Sequence, residues 1–230
     1  MNSEFKIPGL NTIFYQNSNS QSISTDTYLL YKKTKNIVET HIVETLNSVS
    51  KSKVSKLNIL DLGTGCGILL LMLAKDYPEY FYTGVDIIPE LTALASQNFA
   101  LLENELNKKI IYKFLTADYK DLNGIIDENE KFDVIVSNPP YYKADSGKKS
   151  SVIEKNIARF EQTCSLHQLF YTIKKYLKED GIATIIYPIQ RNEEVLLAVK
   201  ENKLNILSTT FTTAEEISIK TKIIYEITNA

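Results

Sequence analysis

The feature that most constrains this chain is a set of regularly interrupted apolar runs. Leu57 to Leu62, Phe81 to Ile87 and Ile110 to Leu115 are separated by Ile68 to Lys75 and Glu90 to Leu106, which have helical spacing; a fourth run, Phe132 to Ser137, follows. Buried parallel strands read as near-continuous apolar runs and need a crossover, usually a helix, between them. The alternation therefore predicts βαβ units in a mainly parallel α/β sheet. A helix over Leu166 to Leu177, a strand over Ile182 to Tyr187 and a helix over Glu193 to Lys200 continue it. Ile206 to Thr213 and Lys222 to Thr228, rich in Thr and Ile around a short acidic stretch, predict a closing antiparallel hairpin.

Upstream, Leu30, Ile37, Val38, Ile42, Leu46 and Val49 fall at helical spacing and predict a helix from Asp26 to about Val49, with Ser24 or Thr25 as N-cap. Residues 1–24 are polar and read as a flexible or ligand-ordered lead-in. A chain of 230 residues with 43% hydrophobic composition fits one domain, with residues 1–55 as lead and helix and 56–230 as core. Cys66 and Cys164 form no framework, Met1 to Ser20 lacks a basic start and apolar h-region, and no stretch approaches the ~18 apolar residues of a membrane span. The expectation is a soluble, cytoplasmic chain with no membrane partner and no obligate protein partner. With His41 and His167 the only histidines, nothing has metal-ligand spacing and no metal is expected.

Asp61-Leu62-Gly63-Thr64-Gly65-Cys66-Gly67 stands where the first strand turns into a helix. Three of the eight glycines fall within five positions there, where positive φ and close approach of a ligand are needed. The dinucleotide fingerprint requires a glycine at its sixth position, occupied here by Ile68. Asp86 ends the second strand, about 20 residues beyond the turn, where a carboxylate can accept both ribose hydroxyls. Asp118, followed by Tyr119, ends the third strand and is placed to reach an adenine amino group. A helix N-cap is the alternative for each carboxylate.

Asn138-Pro139-Pro140-Tyr141 ends the fourth strand. The lone pair of an aromatic amine is delocalised and becomes nucleophilic only when acceptors take its N–H groups. The Asn138 side-chain oxygen and the Pro139 carbonyl are two such acceptors, the two prolines stiffen the turn, and Tyr141 can stack on a planar group. Ligands of open α/β sheets bind outside the carboxyl ends of strands, so both motifs meet at one edge.

The net charge of −2 argues mildly against a nucleic-acid partner, but its distribution does not. Six lysines oppose Glu39 and Glu44 between Leu30 and Lys56. Lys143, Lys148, Lys149, Lys155 and Arg159 oppose Asp145 and Glu154 directly after the Pro-Pro-Tyr turn. Solvated helix faces are the plainer explanation for such lysines.

Asp-x-Gly-x-Gly-x-Gly resembles the first motif of the class I S-adenosylmethionine-dependent methyltransferases. Together with Asn138-Pro139-Pro140-Tyr141 it is similar to their amino-methylating branch, over roughly Leu57 to Tyr187. The flanks Thr25-Asp26-Thr27-Tyr28-Leu29-Leu30 and Ala158-Arg159-Phe160-Glu161 are similar to bacterial transfer-RNA adenine N6-methyltransferases acting at position 37 of a valine tRNA. Phe160 stands where that family more usually has His. The resemblance implies a Rossmann-like seven-stranded sheet with helices on both faces, and S-adenosylmethionine as methyl donor leaving S-adenosylhomocysteine. It implies cofactor contacts from Asp61, Gly63, Thr64, Gly65, Gly67, Asp86, Ile87, Asp118, Tyr119 and Asn138, and catalysis at Asn138, Pro139, Pro140 and Tyr141. The implied partner is the anticodon region of a tRNA, met by Thr25, Asp26, Lys143, Lys148, Lys149, Lys155 and Arg159. A protein glutamine or guanine N2 of ribosomal RNA are the alternative substrates, and an RNA-binding protein without turnover is a more distant one.

Overall fold

A computed structural model describes residues 2–17, 25–47, 56–139, 166–213 and 220–230. Seven strands, β3 (Asn58–Leu62), β4 (Phe81–Asp86), β5 (Ile111–Thr116), β6 (Phe132–Ser137), β7 (Leu177–Pro188), β8 (Leu204–Thr213) and β9 (Lys220–Asn229), form one sheet in the order β5-β4-β3-β6-β7-β9-β8. β5, β4, β3, β6 and β7 run parallel to one another, while β9 lies antiparallel between β7 and β8. The chain leaves β3 in two directions, through β4 to β5 on one side and through β6 on the other. That reversal opens a crevice at the carboxyl ends of β3 and β6.

The sheet is covered on both faces because adjacent residues of its central strands point opposite ways. Ile59, Tyr82, Val134, Val136, Ile186 and Ile224 join one core with helices α1 (Thr25–Asn47), α2 (Ile68–Asp76) and α3 (Pro89–Leu106). Leu60, Val85, Ile135, Ile185, Tyr187 and Ile223 join the other with α4 (Leu166–Tyr176) and α5 (Asn192–Glu201). α2 is apolar almost all round, burying Ile68 to Ala74, as a helix wedged between α1, α3 and the sheet must be. α3 starts with Pro89, whose missing N–H would lack a helical partner anyway, and stops at Asn107 in the left-handed region.

Two expectations are corrected. The lead-in is partly a hairpin: β1 (Asn2–Lys6) pairs with β2 (Ile13–Asn17) antiparallel, burying Ile7 and Phe14 in the first core. Phe14 is fully buried, a gain of about 2–3 kcal/mol that a flexible lead-in would forgo. β7 begins five residues earlier than expected, since Leu177 pairs with Phe132 ahead of an irregularity in the β6 register. The run Lys178-Glu179-Asp180-Gly181 reads as a turn, yet Gly181 passes so close to the Phe132 and Asp133 carbonyls that a Cβ would lie 3.0 Å from each. The remaining expected elements stand within about two residues of their expected ends among the described residues; Ser24 and Val49 lie outside them.

Candidate active site

The β3–β6 ladder sets Asp61 opposite Val136, which carries the glycine turn and Asn138 off neighbouring strand ends together. The buried Ser137 hydroxyl closes the junction by donating to the Leu62 carbonyl at 2.7 Å. Ser137 immediately precedes Asn138 and Leu62 immediately precedes Gly63, so the spacing between the two motifs is fixed by backbone and one side chain.

Within the turn Gly63, Gly65 and Gly67 have φ of +81°, +56° and +79°, all in the region that side chains disfavour. A Cβ at Gly63 or Gly65 would meet nothing within 4 Å, so those two face open space, whereas at Gly67 it would sit 3.0 Å from the Ala95 Cβ. Open space beside a tightly held backbone is what a ligand-cradling turn offers. The Gly63 and Thr64 N–H groups share the Val85 carbonyl at 2.9 Å each. Beneath the turn, Gly84 of β4 leaves room for Phe114 and Thr64, which a Cβ would meet at 2.5 and 2.8 Å.

Asp61 is 3% exposed and, among the described residues, has no cation paired with it. Burial, with the nearby Asp86 charge adding to it, pushes its carboxyl up to about 7, while the Thr64 hydroxyl pulls the other way. That hydroxyl closes no hydrogen bond of ordinary geometry among the described residues, so it relieves Asp61 only weakly. Asp86 is also buried, with its carboxyl raised by burial, and accepts the Gly65 N–H at 2.8 Å and the Ile88 N–H at 3.0 Å. α2 follows Gly67 without a side-chain N-cap, leaving amino-terminal N–H groups directed at the turn. A buried unpaired carboxylate beside an uncapped helix start suits a zwitterion, its ammonium at Asp61 and its carboxylate at the N–H groups. The methionine portion of S-adenosylmethionine has that character, and the residues present fit it.

The other expected contacts divide. Ile87 is 38% exposed beyond Asp86 at the carboxyl edge. The Asp118 carboxylate accepts the Lys120 N–H at 3.1 Å and pairs with the Lys120 ammonium at 3.2 Å, in the manner of an Asx turn. Tyr119 packs against the second core, and its carbonyl accepts the Thr172 hydroxyl at 2.8 Å. Thr25 opens α1, and Asp26 pairs with Lys222 of β9. Pro139 is buried next to Asn138. Pro140, Tyr141, Lys143, Lys148, Lys149, Lys155, Arg159 and Phe160 lie outside the described residues, as does Cys164. Cys66 is buried with its thiol pushed up to about 12, so it stays protonated and is no nucleophile. No group of three or more His, Cys, Asp and Glu suited to a metal occurs among the described residues, and no described helix is long and apolar enough to cross a membrane.

Three residues were given no role of their own by the sequence reading. Thr27 accepts a hydrogen bond from Asn138 Nδ2 at 3.2 Å. Asn98, fully buried, accepts the Tyr15 N–H at 2.9 Å and donates to the carbonyls of Tyr15 and Cys66 at 2.8 and 3.0 Å. It thereby ties the amino-terminal hairpin to the glycine turn. Gly84 is the third, and its position inside an apolar strand was the one available signal.

The seven-stranded fold is that of S-adenosylmethionine-dependent methyltransferases. The chain belongs to the methyltransferase domain family, whose model matches residues 53–229. It is 31% identical over 150 residues to a tRNA1(Val) (adenine(37)-N6)-methyltransferase of a Flavobacteriaceae bacterium, covering 65% of this chain and 59% of that protein. It is 32% identical over 126 residues to a release factor glutamine methyltransferase of Koribacter versatilis, covering 55% of this chain and 40% of that protein. These matches thus span about half the length of the curated relatives. A solved S-adenosylmethionine-dependent methyltransferase from Clostridium acetobutylicum shares the fold with TM-score 0.55 and 15% identity, over 87% of this chain and 92% of its own.

Proposed function

We propose that the protein transfers a methyl group to the exocyclic N6 of an adenine in tRNA, with adenine 37 in the anticodon loop of a valine tRNA as its target. The observation that carries the reading is the position of Asn138. Its amide stands at the carboxyl end of β6, locked by Ser137 to the strand that opens the glycine turn. Bound S-adenosylmethionine supplies an electrophilic methyl on a sulfonium. Asp61 would hold the donor's ammonium and Asp86 its ribose, Gly63 and Gly65 would let it approach the backbone, and Asp118 and Ile87 would meet the adenine.

On the acceptor side, Asn138 Oδ1 and the Pro139 carbonyl take the two N–H groups, so the nitrogen pyramidalises and its lone pair becomes available. Tyr141 stacks on the base. No strong base is required beforehand, because attack makes the nitrogen cationic and its proton then leaves to water. Catalysis is mostly positioning and exclusion of water. An anticodon-loop base is cheaper to extrude than one inside a stem, where unstacking costs a few kcal/mol. Lys143, Lys148, Lys149, Lys155 and Arg159 hold the flanking phosphates, in the cytoplasm where tRNA is modified.

A second reading has specific support, since the release factor glutamine methyltransferase matches at similar identity. A glutamine amide also offers two N–H groups to Asn138 and Pro139. Nucleoside mass spectrometry of tRNA treated with the enzyme and S-adenosylmethionine separates the two. Gain of N6-methyladenosine is expected; no gain, with methylation of a release-factor glutamine instead, favours the second reading.

A further inference from the structure

An Asn side chain rotates about two torsions, and an amide that must meet a reacting nitrogen works only where a partner restrains it. The Asn138 Nδ2 donates to the Thr27 hydroxyl at 3.2 Å, a contact between residues 111 positions apart. The contact ties the side chain at the end of β6 to the first turn of α1. A hydroxyl can donate as well as accept, so it fixes where the amide lies.

Resting on the amino-methylating reading above, we infer that Thr27 is a positioning residue that holds the Asn138 side chain in one place for the acceptor nitrogen. The first turn of α1 is thereby part of the reaction machinery. The helix is suited to that task because it is anchored along its length. Asp26 pairs with Lys222 and Lys33 with Glu226, both on β9. The Thr34 hydroxyl meets that of Thr184 on β7 at 3.0 Å, and Tyr31 and Lys35 both bond to Asp76 at the end of α2, at 2.6 and 2.7 Å. Thr27 therefore sits at the end of an arm held on the sheet by β7, β9 and α2.

Two measurements on the full chain test it. In protein labelled with 15N at asparagine, the Asn138 side-chain amide signal, assigned by its loss in Asn138→Asp, is expected downfield in the native protein and in Thr27→Ser. In Thr27→Val it is expected to shift upfield. An unchanged signal in Thr27→Val overturns the proposal whatever the substrate is. In tRNA methylation, Thr27→Val is expected to lower kcat about five- to tenfold with unchanged KM for S-adenosylmethionine, and Thr27→Ser to recover most of it. Equal loss in Thr27→Ser and Thr27→Val, or a loss confined to KM, overturns it as well. If the native protein methylates no tRNA, the substrate reading fails while the amide signal still decides the role of Thr27.

Discussion

Asp86 at the end of β4 holds Gly65 of the cofactor turn through a 2.8 Å hydrogen bond from the Gly65 N–H to its Oδ2. Its other oxygen takes the Ile88 N–H at 3.0 Å, so one buried carboxylate brackets two separate turns. Replacement by Ala leaves two backbone donors without their partner. Asp86→Ala is expected to cost about 2–4 kcal/mol of stability and to weaken S-adenosylhomocysteine binding at least about tenfold. Chemical denaturation and calorimetry measure the two effects; a stability loss with unchanged affinity would leave Asp86 a purely structural bracket.

Asp61 makes both stability and donor binding depend on pH. Its carboxyl is raised from 3.8 to about 7 in the folded protein, so burying it ionised is unfavourable. The folded state takes up a proton below about pH 7 that the unfolded chain does not take up until near 3.8. Stability of the ligand-free protein therefore rises as pH falls through that window, by up to about 4 kcal/mol from this group. Donor binding runs the other way, because an ammonium favours ionised Asp61. Below pH 7 the affinity is expected to fall with proton release on binding; Asp61→Asn is expected to remove that trend and Asp61's share of the stability trend, leaving the share of the buried Asp86. Calorimetry in buffers of different ionisation enthalpy reads the proton directly.

Gly65 and Gly84 predict opposite failures. A Cβ at Gly65 meets open space, so Gly65→Ala costs only about 1–2 kcal/mol of backbone strain while intruding on the donor's place. A Cβ at Gly84 would lie 2.5 Å from Phe114 and 2.8 Å from Thr64, so Gly84→Ala forces core and turn apart. Gly65→Ala is expected to lose S-adenosylhomocysteine affinity with a stability loss of only about 1–2 kcal/mol from that strain. Gly84→Ala is expected to lose about 2–3 kcal/mol of stability as well. Melting curves with and without ligand separate the two.

The sheet was legible because its signals are local. β6 reads as Phe132 to Ser137 from composition alone, and the glycine cluster marks the end of β3 without knowledge of its neighbours. The amino-terminal hairpin was not, because Phe5, Ile13 and Phe14 are scattered among polar residues, and the partner that secures them, Asn98, lies 83 positions from Tyr15. Thr27 was hidden for the same reason. Its side chain reads as an ordinary residue of a helix start until the fold brings Asn138 against it. Residues whose role is a long-range hydrogen bond leave no periodicity to find.

Asn138 is where the chemistry is claimed to happen, and it stands on β6 beside the strand that leads into the glycine turn. Asn138→Ala, assayed for labelled methyl transfer to tRNA and for S-adenosylhomocysteine affinity in the same preparation, is the most direct measurement. The account predicts that transfer is abolished while affinity stays within about twofold of native, because the Asp61, Asp86 and glycine-turn contacts are untouched. Substantial transfer by the variant, or loss of affinity in step with activity, would contradict it.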